Sequence, residues 1–206
     1  MSVTYIQCSD DAHVAQDQPN THFGYEPWLD LRTWPGSPDF RNVWWKFYLS
    51  IGAGDIIDNA MFNFLVFCTE HWANYSGRGA ILKRCTSDNW STGSITWNNA
   101  PNTYVLPHIL AEFPEFQFGE FLQVDVTADV IAEIADNNII SFRMEIDAEY
   151  DTSVDVHIAA KDYTGPRDNL AAYLAITHHA PGYGHKIHGV TPSKVSGVTP
   201  VRIYGA

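Results

Sequence analysis

Two segments of the sequence alternate aromatic and charged residues, a pattern that suits a surface for a sugar ring or for another protein. They are PWLDLRTW (27–34) and VWWKFYL (43–49). In an extended strand, every second side chain lies on the same side. One side of the second segment then carries the expected core residues Val43, Trp45, Phe47 and Leu49. The outward sides carry Trp28, Asp30, Arg32, Trp34, Trp44, Lys46 and Tyr48.

A hairpin over WPGSPDFRN (34–42) would join these two segments. Symmetric pairing gives three cross-strand pairs: Trp28 with Tyr48, Asp30 with Lys46, and Arg32 with Trp44. We predict that the outward aromatic and basic residues form a glycan- or partner-binding face, because exposed aromatic patches tend to mark binding surfaces. The alternative is a surface ladder in which an ion pair and a cation–π contact satisfy each other.

The sequence contains none of the short motifs that mark common catalytic sites. GxSxG, GxGxxG, GxxxxGK[ST] and HExxH are all absent. A carboxylate pair can be chosen in any chain with 24 acidic residues, so the sequence supports no glycosidase pair. We therefore expect a protein that is not an enzyme.

Three sets of residues were considered as metal ligands, and none has a standard spacing. Hard oxygen ligands for calcium would come from Asp10, Asp11, Asp147, Glu149, Asp151 and Asp155. A transition-metal set would come from four histidines near the end of the chain: His178, His179, His185 and His188. A zinc set would come from Cys68, His71 and Cys85. We expect no cofactor. Calcium is left open, although the acidic run lacks the spacing of an EF-hand.

The three cysteines do not indicate a disulfide framework. A hairpin centred between Ser76 and Gly77 would place Cys68 opposite Cys85, and Glu70 opposite Lys83. A Cys68–Cys85 disulfide is therefore feasible. Two buried free thiols are favoured, because the chain shows no secretory signal.

Composition and charge limit the partners. The 206-residue chain is 45% hydrophobic with a net charge of -12, so we expect no nucleic-acid backbone as partner. No stretch approaches a membrane span of roughly 20 apolar residues. No signal peptide is visible at the start, which indicates a cytoplasmic protein, one carried out by virion assembly, or a chain whose signal has been removed.

Short segments rich in β-branched and aromatic residues dominate the chain and are separated by turn clusters such as PGSPD and NYSGRG. One segment, TADVIAEIAD (127–136), predicts a helix with Thr127 as N-cap and an apolar stripe of Val130, Ile131 and Ile134. About nine strands and one short helix predict an all-β, antiparallel β-sandwich.

The segment WSTGSITWNNAP (90–101) resembles the signature of DNRLRE-type β-sandwich domains, which are related to an alginate-binding carbohydrate-binding module family. Three other segments resemble landmarks of the family and occur in the same order along the chain: DAHV (11–14), PNTHFGYEPWLDL (19–31) and VDVTADVIAEI (124–134). The resemblance implies a jelly-roll sandwich with a non-catalytic role in binding or adhesion, often as one module of a secreted protein. The alternative to a binding role for this segment is a purely structural one, in which it forms a tight corner with Trp90 and Trp97 packed inside.

One position of the resemblance bears on binding. Ala160-Lys161-Asp162 stands where the family has a Ser-basic-Glu triplet. The resemblance implies that Lys161 could meet a uronate carboxylate, so we add it to the predicted face. A net charge of -12 would, however, repel a polyanion.

The last residues repeat a short pattern: KIHGVTPS, KVSGVTPV and RIYGA. We predict a sandwich domain over 1–179 and a flexible hinge with an extended arm over 180–206. Such an arm could add a strand to a neighbouring subunit, although a disordered terminus is the alternative. Its predicted assembly residues are Lys186, Ile187, Val190, Lys194, Val195, Val198, Arg202, Ile203 and Tyr204.

The repeats also resemble terminal segments of tailed-phage structural proteins. We therefore predict a non-enzymatic virion decoration or fibre subunit, oligomeric, anchored by the arm and with its sandwich on the virion surface. That sandwich could bind cell-surface polysaccharide. The alternative is a secreted, extracellular carbohydrate-binding module for an acidic or neutral polysaccharide.

Overall fold

The computed structural model describes residues 1–34, 39–52, 54–70, 79–100, 104–146, 154–163 and 171–181. Over these residues the chain forms eleven strands and one helix. The strands are β1 Ser2–Gln7, β2 Asp10–Ala15, β3 Trp28–Thr33, β4 Arg41–Tyr48, β5 Ile56–Glu70, β6 Ala80–Cys85, β7 Tyr104–Phe113, β8 Glu120–Asp125, β9 Ile139–Ile146, β10 Val154–Ala159 and β11 Tyr173–His179. The helix α1 spans Thr127–Ile134.

The strands pair antiparallel in the order β1-β11-β5-β10-β3-β4-β9-β6-β7, with β2 on β4 and β8 on β5. Strands β3 and β4 share a single pair, Arg32 with Arg41, so the sheet turns at this point. One layer contains β1, β11, β5, β10, β3 and β8. The other contains β4, β9, β6, β7 and β2. The predicted all-β sandwich is confirmed.

Aromatic residues from both layers meet in the core. Trp45 of β4 lies 5.3 Å from Phe62 of β5, between ring centroids. Phe62 in turn stacks on Phe142 of β9 at 4.9 Å. Neither β4 nor β9 pairs with β5, so these contacts cross from layer to layer. The inward residues predicted from alternation in β4 are confirmed, because Val43, Trp45, Phe47 and Leu49 are all buried in this core.

The predicted hairpin register between β3 and β4 is wrong. Strand β4 pairs along its length with β2 and β9, and β3 pairs with β10. The local hairpin is replaced by pairings between distant parts of the chain, which bury more apolar surface at both edges of β4. The predicted pairs of Trp28 with Tyr48, Asp30 with Lys46 and Arg32 with Trp44 therefore do not form.

A second, smaller cluster lies on the outward side of β4. Trp44 packs there with Trp90, Ile95 and Cys85. Backbone amides of Asn99 and Ala100 both donate to the Thr96 carbonyl, at 3.2 and 2.8 Å, which makes the segment turn tightly. The signature segment thus covers the outside of the sheet, in agreement with its interpretation as a structural corner.

The helix differs in two respects from the prediction. Its N-cap is Val126, and Thr127 is the first helical residue, whose hydroxyl donates to Asp125 Oδ1 at 2.6 Å. Ile131 is exposed rather than part of an apolar stripe. Two acidic residues of the helix, Asp129 and Glu133, are buried, because both of their carboxylates bind Arg84.

The predicted hairpin around Cys68 and Cys85 is also wrong. Strand β6 pairs with β7 and β9 and not with β5, and Cys68 lies opposite His157. Lys83 forms an ion pair with Glu145 of β9, and the side chains of Cys68 and Glu70 lie outside the described part of the structure. Cys85 is a buried free thiol, as the favoured alternative stated.

Among the described residues, no helix has both the length and the apolar character needed to cross a membrane. The predicted arm, from residue 182 onward, lies outside the described residues. The division at 179 and 180 therefore stays a prediction.

Candidate binding surface

The outward side of β3 and β10 brings together part of the predicted binding face. Leu29 and Leu31 of β3 point into the core, so Trp28, Asp30 and Arg32 point away from it. Asp30 lies opposite His157, and Arg32 lies opposite Asp155. We call Trp28, Asp30, Arg32, Asp155 and His157 the β3–β10 face.

Two arginines and three aspartates form an ion-pair network across this face. Arg32 donates to Asp155 at 2.6 Å and to Asp39 at 3.2 Å. Arg41 donates to Asp30 at 2.5 Å and to Asp39 at 3.2 Å. Each guanidinium group therefore has two carboxylate partners. Ion pairs thus cross this face, but the Asp30–Lys46 pair and the Arg32–Trp44 contact of the surface-ladder alternative do not form.

His157 is held inside this network. Its Nε2 lies 3.3 Å from Asp30 Oδ1 and 3.4 Å from Asp155 Oδ1. The hydrogen bond to Asp155 raises the pKa of His157 above its ordinary value. Burial acts in the opposite direction, and the charge of Asp30 raises the pKa further. Burial raises the pKa of Asp155, but the hydrogen bond from His157 and the charge of Arg32 outweigh it, so the net shift is downward. Both shifts favour a charged imidazolium beside an ionised Asp155, whereas burial raises the pKa of Asp30.

Trp28 covers the outer side of this imidazole. The two rings are nearly parallel, at 17°, with centroids 5.8 Å apart. Phe67 lies 5.9 Å from His157 and 5.1 Å from Tyr163, which extends the aromatic surface onto β5. Trp28 is 38% exposed, and Trp34, just beyond the end of β3, is 42% exposed. The β3–β10 face thus offers an open indole beside a set of fixed hydrogen-bonding groups.

Lys161 follows β10 directly and lies beside this face. The amide of Ala160 donates to the Pro27 carbonyl at 3.4 Å, which places the turn next to Trp28. The Lys161 Nζ donates to Asp162 at 2.7 Å and lies 5.9 Å from the ring of Tyr25. Lys161 therefore already has an acidic and an aromatic neighbour. The sequence analysis did not single out Tyr25, which is exposed.

Asp11 fixes the position of that turn. It is buried, and its Oδ2 accepts a hydrogen bond from the Lys161 backbone amide at 2.5 Å. Burial raises the pKa of Asp11 to about 7, although the Lys161 amide and ammonium oppose that shift. Asp11 therefore holds the turn at Lys161 in place from inside the protein.

Trp44 and Lys46 do not belong to the exposed face. Both are buried under the signature segment, so their predicted outward exposure is wrong. Lys46 Nζ donates to the Trp90 carbonyl and lies 3.4 Å from Asp10. Tyr48 is 50% exposed but lies at the far end of β4, opposite Ile139 of β9.

Within the described part of the chain, Asp10, His178 and His179 of the predicted metal ligands each have partners of their own. Asp10 accepts hydrogen bonds from the amide and hydroxyl of Thr92, at 2.9 and 3.1 Å. His178 and His179 each contact their own partner, Asp55 at 2.7 Å and Asp58 at 2.8 Å. Outside the described residues lie Asp147, Glu149, Asp151, His71, His185 and His188. All predicted arm residues also lie outside them.

One group of three candidate ligands does occur within the described part of the chain. Ligand atoms of Asp30, Asp155 and His157 lie within 4.8 Å of one another. The second oxygen of each carboxylate is bound by an arginine, and the histidine bridges the other two. The group is therefore already neutralised by cations of the protein itself.

Alternation along the sequence indicated Trp28, Asp30, Arg32 and Trp34, whereas His157 and Arg41 were not predicted. Asp155 had been assigned to a calcium-type acidic run. The pairing of β3 with β10 joins residues more than 100 positions apart, and no local pattern reports it. Alternation within VDVHIAA (154–160) does place Asp155 and His157 on one side, which was the available signal.

Comparison with known proteins supplies the family. No curated protein matches the sequence. A family model described as carbohydrate-binding module family 96 matches residues 2–174, which include every strand from β1 to β10 and the start of β11. The match covers most of the chain, and the chain therefore belongs to carbohydrate-binding module family 96.

Proposed function

We propose that the protein binds polysaccharide through the β3–β10 face. The observation that carries the proposal is the open indole of Trp28, held parallel to His157 beside Arg32 and Asp155. A sugar ring has one face of C–H groups and a rim of hydroxyls. The indole suits the C–H face, and the partly exposed Arg32 guanidinium and His157 imidazole suit the hydroxyls.

The charge of this face favours a neutral polysaccharide over an acidic one. Arg32 and Arg41 are each bound by two aspartates, so a uronate would have to compete with Asp30, Asp39 and Asp155 for them. The net charge of -12 adds long-range repulsion against a polyanion. Neutral hydroxyls can bind without displacing these ion pairs, because carboxylates and guanidiniums keep further hydrogen-bonding positions.

The family supports the second of the two functions predicted from the sequence, a binding module acting outside the cell. In this proposal the domain carries no catalytic step and holds its ligand by contact alone. The virion role, the assembly arm and the oligomer depend on residues 180–206 and stay predictions. Deleting 180–206 tests them, because a truncated protein that still forms the native assembly would contradict anchoring by the arm.

Affinity electrophoresis tests the proposed function. Wild-type protein and the Trp28→Ala variant are run through gels that contain laminarin, mannan, alginate or polygalacturonate. We expect retardation by a neutral polymer and at least about ten-fold weaker binding for Trp28→Ala. Tyr48→Ala is the matched control, because it removes an exposed aromatic ring from the other layer. Equal weakening in both variants, or no retardation by any polymer, would contradict the proposal.

A further inference from the structure

A second aromatic cluster lies on the outward side of the same layer. Tyr5 of β1 lies 5.9 Å from Tyr173 of β11, and Tyr173 lies 5.9 Å from Phe121 of β8, between ring centroids. Tyr5 is 65% exposed, and Phe121 is also exposed. We call Tyr5, Tyr173 and Phe121 the tyrosine cluster. Three rings in contact across neighbouring strands form an unusually apolar patch for a sheet surface open to water.

The polar groups beside the tyrosine cluster are amides. Asn63 lies opposite both Tyr173 and Gln123 in the strand register. Gln123 donates to Asn63 Oδ1 at 2.7 Å, and Asn63 donates to the Met61 carbonyl at 2.8 Å. These contacts fix the amides next to the rings. Asn63 is buried, so the amide open to a ligand is that of Gln123, which is exposed. An exposed amide beside aromatic rings matches the hydroxyl rim and the C–H face of a sugar without using a charge.

Both clusters lie on one continuous surface. Phe62, Phe64 and Val66 of β5 point into the core, so Leu65 and Phe67 point outward. Leu65 lies opposite Phe121 in the register. Phe67, two residues further along β5, lies 5.9 Å from His157 in the β3–β10 face. The tyrosine cluster and the β3–β10 face thus lie side by side along β5, with the buried Leu65 between their rings.

The distance between the clusters sets the kind of ligand that can reach both. Strand β8 pairs with Met61 to Val66 of β5, on the edge opposite both β11 and β10, so β10 and β11 lie on the same edge of β5. Tyr5 of β1 and Trp28 of β3 are therefore separated along the strands, by about four residues or roughly 13 Å. A monosaccharide or disaccharide is too short to bridge this distance, whereas an extended chain of several sugar units is long enough.

We propose that the tyrosine cluster is a second, uncharged subsite, and that one neutral polysaccharide chain lies across this layer and contacts it together with the β3–β10 face. The inference rests on the proposed function, because it assumes a polysaccharide ligand at Trp28. Contact at two linked places raises affinity for long chains by making the second contact intramolecular. The protein therefore recognises the interior of a chain rather than a single terminal sugar.

Isothermal titration calorimetry with oligosaccharides of increasing length tests this inference. The probes are disaccharide to octasaccharide fragments of the neutral polymer that retards the wild-type protein best. The variants are Tyr5→Ala and Phe121→Ala, with Trp28→Ala for the first subsite and Tyr48→Ala as the control. Because Tyr5 and Phe121 are exposed, their removal should leave the melting temperature nearly unchanged.

We expect affinity to rise with chain length in the wild-type protein, and Tyr5→Ala or Phe121→Ala to abolish that rise while leaving short-fragment binding intact. Trp28→Ala should weaken binding at every length. If Tyr5→Ala and Phe121→Ala bind long fragments like the wild type while Trp28→Ala is weakened, the second subsite is wrong and the proposed function stands. If no polymer or fragment binds the wild type, both are wrong.

Discussion

The indole of Trp28 lies parallel to the imidazole of His157, at 17° and 5.8 Å between ring centroids. His157 is held by Asp30 and Asp155, and these two carboxylates are held by Arg41 and Arg32. An ion-pair network, rather than the apolar core, therefore sets the position of an exposed aromatic ring. Loss of one charge should move the ring that a sugar would contact.

Asp155→Asn tests this dependence. The substitution keeps the size of the side chain but removes the charge that binds Arg32 and His157. We expect the free energy of unfolding to fall by about 1–3 kcal/mol, because a half-buried guanidinium loses one of its two partners. Polysaccharide affinity should fall several-fold. Urea unfolding and calorimetry measure the two effects, and unchanged affinity at reduced stability would show that the network does not position Trp28.

Lys46→Met should affect stability and leave binding alone. Lys46 is 3% exposed, contacts the Trp90 carbonyl, and lies 3.4 Å from Asp10. Removing its charge leaves the Asp10 carboxylate without that partner, so we expect a loss of about 2–4 kcal/mol in the free energy of unfolding. Loosening of the signature segment should appear as faster proteolysis. A Lys46→Met protein of normal stability that no longer binds polysaccharide would contradict this assignment.

Asp11→Asn should change the pH dependence of stability. Burial raises the pKa of Asp11 from 3.8 to about 7, so the folded protein keeps this proton where the unfolded chain has lost it. The unfolded state then binds fewer protons between about pH 4 and pH 7, and wild-type stability from this group falls as pH rises through that window. An asparagine does not titrate, and its oxygen can still accept the Lys161 amide.

The stability of Asp11→Asn relative to the wild type should therefore increase between pH 4 and pH 7 and stay level on either side. Urea unfolding across this range gives the difference directly. Asp17→Asn, which removes an exposed carboxylate, is the control. A difference that does not vary with pH would mean that Asp11 is ionised in the folded protein throughout.

The buried thiols should be inert in the folded protein. Burial raises the pKa of Cys85 to about 12 and also raises that of Cys8 well above its ordinary value, with the Asp11 carboxylate adding to the effect at Cys8. Since the thiolate is the reactive form, alkylation by iodoacetamide at pH 8 should be slow for both. Peptide mapping by mass spectrometry should find them labelled only after unfolding, and rapid native labelling of Cys85 would contradict its burial.

Sequence reasoning predicted the elements of this fold better than their arrangement. Alternation in β4 identified Val43, Trp45, Phe47 and Leu49 as core residues, because a period of two reports directly which side of a strand is buried. The pairing of β3 with β4 failed for the opposite reason. A short connection favours a hairpin, but the pairings with β2, β9 and β10 join residues that no local pattern links.

The candidate site shows the same division. The outward position of Trp28 followed from alternation, whereas its partner His157 followed only from the long-range pairing of β3 with β10. Trp44 and Lys46 also point away from the core, as predicted. Their burial by the segment around Trp90 depends on how a loop folds back over the sheet, which the period of a strand does not report.

The central claim is that polysaccharide contacts Trp28, and nuclear magnetic resonance tests it most directly. The seven tryptophan indole N–H signals of a ¹⁵N-labelled protein are recorded during titration with the neutral oligosaccharide that binds best, and Trp28→Phe assigns the Trp28 signal. We expect the Trp28 indole signal to shift together with the backbone amides of β3 and β10. Shifts confined to the Trp90 segment, with the Trp28 signal unmoved, would contradict it.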